Sequence, residues 1–133
     1  MIDIENKVIT AVSNAVTTEY SNITIKSIDD LTPQDLPCLV VTMADNRVRD
    51  DRIDSSDLEN AVISTFEITA YTNTPNTAKS EAKAILSLAD DAMKVMGFTR
   101  VTMSALPTQH ATVARLFARY EGTVDKNDKI YRR

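Results

Sequence analysis

The chain has 133 residues, of which 43% are apolar and 26% are charged, and its formal net charge is −4. This length predicts one domain with its own core, and the acidic balance argues against a nucleic-acid-binding domain, since such domains are usually basic. A single cysteine excludes a disulfide within the chain, and no apolar run approaches the roughly 18 residues of a membrane-spanning helix. The acidic amino terminus is unlike a signal peptide, so we expect a soluble protein that stays in the cytoplasm.

The first elements follow from hydrophobic spacing. Apolar residues at helical spacing predict an amphipathic helix over about 3–19, with Asp3 as its N-cap. Alternating apolar residues predict a short strand over 23–28, and a loop with two prolines follows it. The apolar run 38–43 predicts a strand near the middle of the sheet, in which Cys38 is a small buried hydrophobe.

Segment 45–59 has nine charged side chains in fifteen positions and predicts an exposed loop or the tip of a long hairpin. Residues 29–59 carry nine acidic and three basic side chains, whereas residues 98–133 carry three acidic and seven basic ones. Two solvated surfaces would explain this asymmetry. So would an acidic side and a basic side through which copies of the chain meet head to tail.

Segment 61–73 has the clearest strand pattern, because two sets of residues alternate along it. The apolar set is Val62, Phe66, Ile68 and Ala70, and the other set is Thr65, Glu67, Thr69 and Tyr71. An alanine-rich apolar stripe then predicts a second helix, capped by Asn76 or Thr77 and ended by Gly97. On it we expect Asp90 and Lys94 to form a solvent-exposed ion pair.

The last part of the chain reads as strands. Segments 98–106 and 112–124 predict two strands separated by a loop that contains His110. A polar turn over 125–129 and a short return strand over 130–133 complete a C-terminal hairpin at about 112–133. The order of elements predicts a single α+β domain over 1–133, with an antiparallel or mixed sheet and both helices on one face. The other face would present Thr65, Glu67, Arg115 and Arg119 to water or to a polar partner.

Catalytic and metal-binding patterns are weak in this sequence. His110 is the single histidine, no Gly-x-Ser-x-Gly elbow exists, and neither of the two glycines lies in a phosphate-binding loop. The acidic run 50–59 lacks the mid-loop glycine of an EF-hand. We therefore expect no enzymatic activity, no cofactor and no metal. The stripe Arg115, Phe117, Arg119 is a weak hint of an RNA-binding sheet and fits a protein interface better.

Several segments, in the order in which their elements follow one another, resemble the tail terminator and tail-completion proteins of long-tailed bacteriophages. Related minor capsid and head–tail joining proteins are similar too. The segments are 59–73, 78–83, 97–100, 118–120 and 130–133.

Members of that family form rings, commonly hexamers, that cap the tail tube, stop its elongation and provide the surface on which the head docks. The resemblance implies a structural protein of the virion, at the head–tail junction, that assembles in the host cytoplasm without a cofactor. Its implied partners are copies of itself, the tail tube protein and a head-completion or neck protein. DNA would pass through the lumen without specific binding, and no membrane is involved.

Two alternatives remain at this point. One is a head–tail connector or minor capsid protein of the neck, and the other, less favoured, is a small-molecule-binding or enzymatic α+β domain. For the ring protein, the residues expected at contacts come from the charged segment and the basic C-terminal sheet: Arg47, Arg49, Asp50, Asp51, Arg52, Asp54, Arg115, Phe117, Arg119, Tyr131 and Arg132.

Overall fold

The computed structural model describes residues 2–27, 37–48, 61–74, 76–106, 113–125, 127 and 129–131. In these ranges the chain forms two helices and six strands. The helices are α1 (Glu5–Thr17) and α2 (Ala78–Met96). The strands are β1 (Thr24–Lys26), β2 (Cys38–Val48), β3 (Ala61–Thr72), β4 (Thr99–Ala105), β5 (Ala114–Asp125) and β6 (Ile130–Tyr131).

The strands form one mixed sheet in the order β1-β2-β3-β5-β4, and β6 pairs with β5. β1 runs parallel to β2, whereas the other pairings are antiparallel. Both helices pack against this sheet and share one hydrophobic core with it. The predicted α+β fold is therefore confirmed.

The core lies between the helices and one side of the sheet. α1 contributes Val8, Val12 and Val16, whose spacing of four residues places them on one side of the helix. The sheet contributes alternate residues of β2 and β3, as expected for side chains that point to the same side of a pleated strand. From α2 and the sheet, the buried members include Leu39, Val41, Phe66, Ile68, Ile85, Leu86, Ala89 and Met93.

The ends of the helices match the prediction only in part. The Asp3 carboxylate accepts a hydrogen bond from the Glu5 amide at 2.9 Å, but the N-cap position of α1 is Ile4 and not the predicted Asp3. Thr77 takes the predicted N-cap position of α2 without a side-chain capping hydrogen bond. Gly97 follows α2 with a φ of 110°, and its amide donates to the Lys94 carbonyl. This positive φ is costly for any residue with a Cβ atom, which explains a glycine at the predicted helix stop.

The charged segment begins later than the sequence suggested. Residues 45–48 were expected in an exposed loop or at the tip of a long hairpin, but they continue β2, which pairs with β3 as far as Val48 opposite Val62. The register of the pairing shifts between Met43 and Asp45, and the strand continues beyond the shift. The polar side chain of Asn46 forms hydrogen bonds within this part of the strand. Its side chain donates to the Ile2 carbonyl and accepts from the Ser64 hydroxyl, both at 2.8 Å. The rest of that segment lies outside the described residues, as does His110.

The C-terminal hairpin is present as β5 and β6. The Asp125 carboxylate accepts hydrogen bonds from the amides of Asn127 and Lys129, both at 2.9 Å. Gly122 allows the hairpin to pack closely, because a Cβ atom there would lie 2.8 Å from the Phe98 ring and 3.1 Å from the Ile130 side chain.

Candidate interaction surface on the far face of the sheet

The side of the sheet turned away from α1 and α2, here called the far face, carries the basic and aromatic residues singled out in the sequence. β3 and β5 pair along their whole length, which places Glu67 opposite Arg119 and Tyr71 opposite Arg115. Phe117 lies between the two arginines on the same side of β5. The predicted stripe of Arg115, Phe117 and Arg119 is therefore a real feature of one face.

The centre of the far face is an ion pair between Arg119 and Glu67. The Arg119 Nη2 and Nε atoms donate to the same Glu67 oxygen at 2.7 and 3.2 Å. The Arg119 guanidinium also lies 5.9 Å from the centroid of the Phe117 ring. The Arg119 side chain is 46% exposed. The guanidinium is thus held in place by two neighbours while part of it still faces outward.

Arg115 is held differently, at the end of the sheet where β2 begins. Its guanidinium carbon lies 5.5 Å from the centroid of the Tyr71 ring, a cation–π arrangement. Tyr71 packs with Cys38 and Val40 in a second small buried cluster. The Arg115 Nε atom is buried, and among the described residues it has no hydrogen-bond partner. Arg115 therefore belongs to a packed region, in contrast to the more open Arg119.

The expected polarity of the far face needs one correction. Thr65 was expected to face water or a polar partner, but it is buried, as is Thr69. Both are short side chains on a central strand with pairing strands on either side. Side chains on a central strand have neighbours on both sides, so a short side chain there has little exposed area.

The remaining predicted contact residues are not brought to this centre. Arg47 lies on β2 opposite Ile63, several residues from the Glu67 level, and its Nη1 atom is 3.4 Å from Asp45. Tyr131 is on β6, opposite Thr123. The other predicted residues lie outside the described part of the chain: Arg49, Asp50, Asp51, Arg52, Asp54 and Arg132.

A second polar cluster lies on the helix side of the sheet, and only its Asp90–Lys94 pair was expected from the sequence. Asp90 was predicted in solvent, but it is only 7% exposed. It accepts a hydrogen bond from the Tyr120 hydroxyl at 2.7 Å. Lys94 Nζ lies 2.8 Å from its carboxylate, which confirms the predicted pair, and Arg100 Nη1 lies 3.5 Å away. Asp90 thereby links α2 to β5 and to β4.

The protonation states of Asp90 and Tyr120 follow from their surroundings. Burial raises the pKa of Asp90, but hydrogen bonds from Lys94 and Tyr120 and the charges of Lys94 and Arg100 outweigh it, so the pKa is below its usual value. Burial, followed by the hydrogen bond to Asp90, raises the pKa of Tyr120 far above its usual 10.0. Asp90 is a carboxylate and Tyr120 a neutral donor, which suits a structural link.

Sequence periodicity contained only a faint signal for this cluster. Asp90 lies at the border of the apolar stripe of α2, next to the buried Ala89. Tyr120 occupies the same side of β5 as the buried Ala118. Both positions are therefore compatible with the core, but a charged residue at a stripe border is by default assigned to solvent.

Within the described ranges, no group of three or more His, Cys, Asp or Glu side chains is placed to hold a metal ion. No helix in that part of the chain is long and apolar enough to cross a membrane. No family model matches the chain, and no curated protein matches its sequence.

Proposed function

We propose that this chain is a structural virion protein of a long-tailed phage that forms a ring at the end of the tail tube. The ring stops elongation of the tube and provides the surface on which the head docks. The observation that carries the proposal is the Arg119–Glu67 pair beside Phe117, exposed on the far face of the sheet.

Arginine and aromatic side chains are enriched at the centres of protein interfaces, where a few of them supply most of the binding energy. Glu67 and Phe117 already hold the Arg119 guanidinium in position. Less side-chain entropy is then lost when a partner carboxylate or carbonyl binds it. The pair thus has the features of an anchor for a protein partner.

The charge distribution supports a second copy as one such partner. Residues 29–59 are mainly acidic and residues 98–133 mainly basic. The basic side chains are spread along the sheet, because Arg115 lies level with Cys38 whereas Lys129 lies at the opposite end, beside Asp125. Regions of opposite charge on one subunit favour head-to-tail contacts, which close into a ring when the rotation between copies allows it.

The remaining partners follow from the same proposal. The tail tube protein would meet one side of the ring, and a head-completion or neck protein the other. Acidic side chains that face the lumen would repel DNA phosphates, so that DNA passes without specific binding. The protein would then act in the virion at the head–tail junction.

The test is the assembly of the purified chain with and without tail tubes. We expect rings by negative-stain microscopy and light scattering, and capped tubes when tubes are supplied. Arg119→Glu should weaken association at least tenfold, since an interface anchor contributes about 2 kcal/mol or more. A chain that stays monomeric at high concentration and does not bind tubes would contradict the proposal.

A matched control separates the interface from the fold. Arg119→Glu also places two carboxylates side by side, and this repulsion alone could loosen the sheet. The double variant Glu67→Arg, Arg119→Glu restores an internal pair with reversed positions. We expect it to recover stability but not association. Recovery of both would show that Arg119 acts only within the subunit.

A further inference from the structure

The geometry points to the outer edge of β4 as a site that binds a second copy of this chain. We propose that β4 of one copy pairs antiparallel with β4 of another, around a two-fold axis at Ser104, so that one sheet continues through both copies. This contact goes beyond the proposed ring and does not depend on it, because it uses a different surface and a different symmetry.

β4 is the terminal strand in the main order of the sheet, and all of its residues are exposed. Within the described ranges its one strand partner is β5. Two large apolar side chains on it face solvent, Val101 at 52% and Met103 at 45% exposure. Natural edge strands are usually protected from pairing by charges, prolines or bulges, because their free backbone groups otherwise bind other strands.

The available backbone groups can be identified from the register. The Leu106 amide donates to the Arg115 carbonyl at 2.8 Å, so the backbone groups of Leu106 point towards β5. Hydrogen-bonding direction alternates along an antiparallel strand, so those of Ser104 point the same way. The amides and carbonyls of Met103 and Ala105 therefore point outward, where they are able to pair with another strand.

The protection of this edge is limited to its first residues. Arg100 is the single charged residue of β4, and its side chain is directed to Asp90 of the same chain. The register shift of β4 also lies at this end, between Arg100 and Thr102. From Val101 to Leu106 the sequence contains no charged residue. Met103 and Ala105, whose amides and carbonyls point outward, thus lie in the regular and uncharged part of the edge.

The same segment is complementary to itself. With the axis at Ser104, Met103 of one copy faces Ala105 of the other, so their outward backbone groups form hydrogen bonds. A large side chain then lies beside a small one on the helix side of the sheet. The two Ser104 side chains face each other on the far side. No like charges face each other, so β4 of a second copy fits this edge in size, polarity and hydrogen bonding.

A cysteine at the axis tests the register directly. The two Ser104 residues would form a non-hydrogen-bonded pair with Cα atoms about 4.5 Å apart, which lies within the range of a disulfide. We expect Ser104→Cys to form covalent dimers under mild oxidation. Thr102→Cys is the matched control, since the proposed register separates the two copies of that residue by about 13 Å. The native Cys38 is buried and should not cross-link.

Each outcome of the cross-linking decides the proposal. Dimers of Ser104→Cys without dimers of Thr102→Cys support it. No cross-linking of Ser104→Cys, equal cross-linking of both variants, or cross-linking of Thr102→Cys alone overturns it. Arg119→Glu combined with Ser104→Cys should still cross-link, so a failure of the ring proposal is distinguishable from a failure of this one.

A charge on the edge provides a second measurement. Met103→Lys should weaken dimer formation at least tenfold by sedimentation, because it introduces charge at the paired segment. Thr99→Lys places the same charge at an exposed position of β4 outside that segment and should leave dimer formation unchanged. Circular dichroism checks that both variants fold. Equal association of the two variants would overturn the proposal.

Discussion

Arg119 and Tyr120 are neighbours on β5 whose side chains take part in two different polar networks. Arg119 pairs with Glu67 on the far face, where its side chain is 46% exposed. Tyr120 donates to Asp90 beneath α2, where the tyrosine is fully buried and the carboxylate nearly so. One residue step along a strand thus separates a solvated ion pair from a buried network.

The difference teaches that surroundings, more than partner types, determine what a polar contact contributes. Water competes for Arg119 and Glu67, so removing either leaves a group that can be solvated. Tyr120 has no such alternative, since its hydroxyl would remain buried without an acceptor. We therefore expect the buried network to stabilise the fold and the exposed pair to serve recognition.

The largest expected effect is on Asp90. Asp90→Ala should lower the free energy of unfolding by about 2–3 kcal/mol, because the buried Tyr120 hydroxyl loses its hydrogen-bond acceptor. Lys94 and Arg100 are partly exposed, so their charges can be solvated by water. Urea denaturation measures this free energy. The control is Asp91→Ala, an exposed neighbour on the same helix, for which we expect a change within about 0.5 kcal/mol. Similar values for the two variants would contradict a buried network.

Gly122 tests how closely the helix side of β5 is packed. Gly122→Ala should cost about 1–2 kcal/mol, because the new Cβ atom overlaps the Phe98 ring and crowds Ile130. Glu121→Ala changes the adjacent residue on the far face and should cost less. Thermal or urea unfolding of both variants gives the comparison, and a neutral Gly122→Ala would mean that Phe98 and Ile130 move easily.

The pH dependence of stability sharpens the assignment of Asp90. Its pKa in the folded state is below the usual 3.8, so the contribution to stability is present above that pH and is lost as the pH falls below it. The difference in unfolding free energy between the wild type and Asp90→Asn should be constant near neutral pH and shrink below about pH 4. A difference that stays unchanged on acidification would show that the carboxylate charge contributes little.

The smallest expected effect on stability is at Arg119 and Glu67. A double-mutant cycle with alanine at both positions should give a coupling of about 0.2–1 kcal/mol that decreases with added salt. The same variants should weaken association much more than they weaken the fold. A coupling of several kcal/mol would place this pair with the buried network and not with an interface.

Local patterns predicted much of this molecule. Apolar periodicity located both helices and nearly all strand positions in the described ranges, and a single glycine marked the end of α2. The stripe of Arg115, Phe117 and Arg119 followed from the alternation of side chains along a strand. These features depend on backbone geometry within one element, which the order of residues specifies.

Contacts between distant elements were not predictable in the same way. The extension of β2 to Val48 depends on pairing with β3, and the burial of Thr65 depends on strands at both sides. The burial of Asp90 depends on Tyr120, thirty residues away in the chain. Periodicity shows which residues share a side of an element, but not what lies over that side.

By itself, then, the order of residues determined whether each segment is a helix or a strand and which of its side chains share one side. It also determined that α2 ends at a glycine. Only tertiary structure decided that two adjacent residues of β5 belong to a buried network and an exposed pair, and that β4 is an exposed edge strand of the sheet in the described part of the chain. The physical reason is that desolvation and free backbone groups depend on neighbours in space, which folding alone brings together.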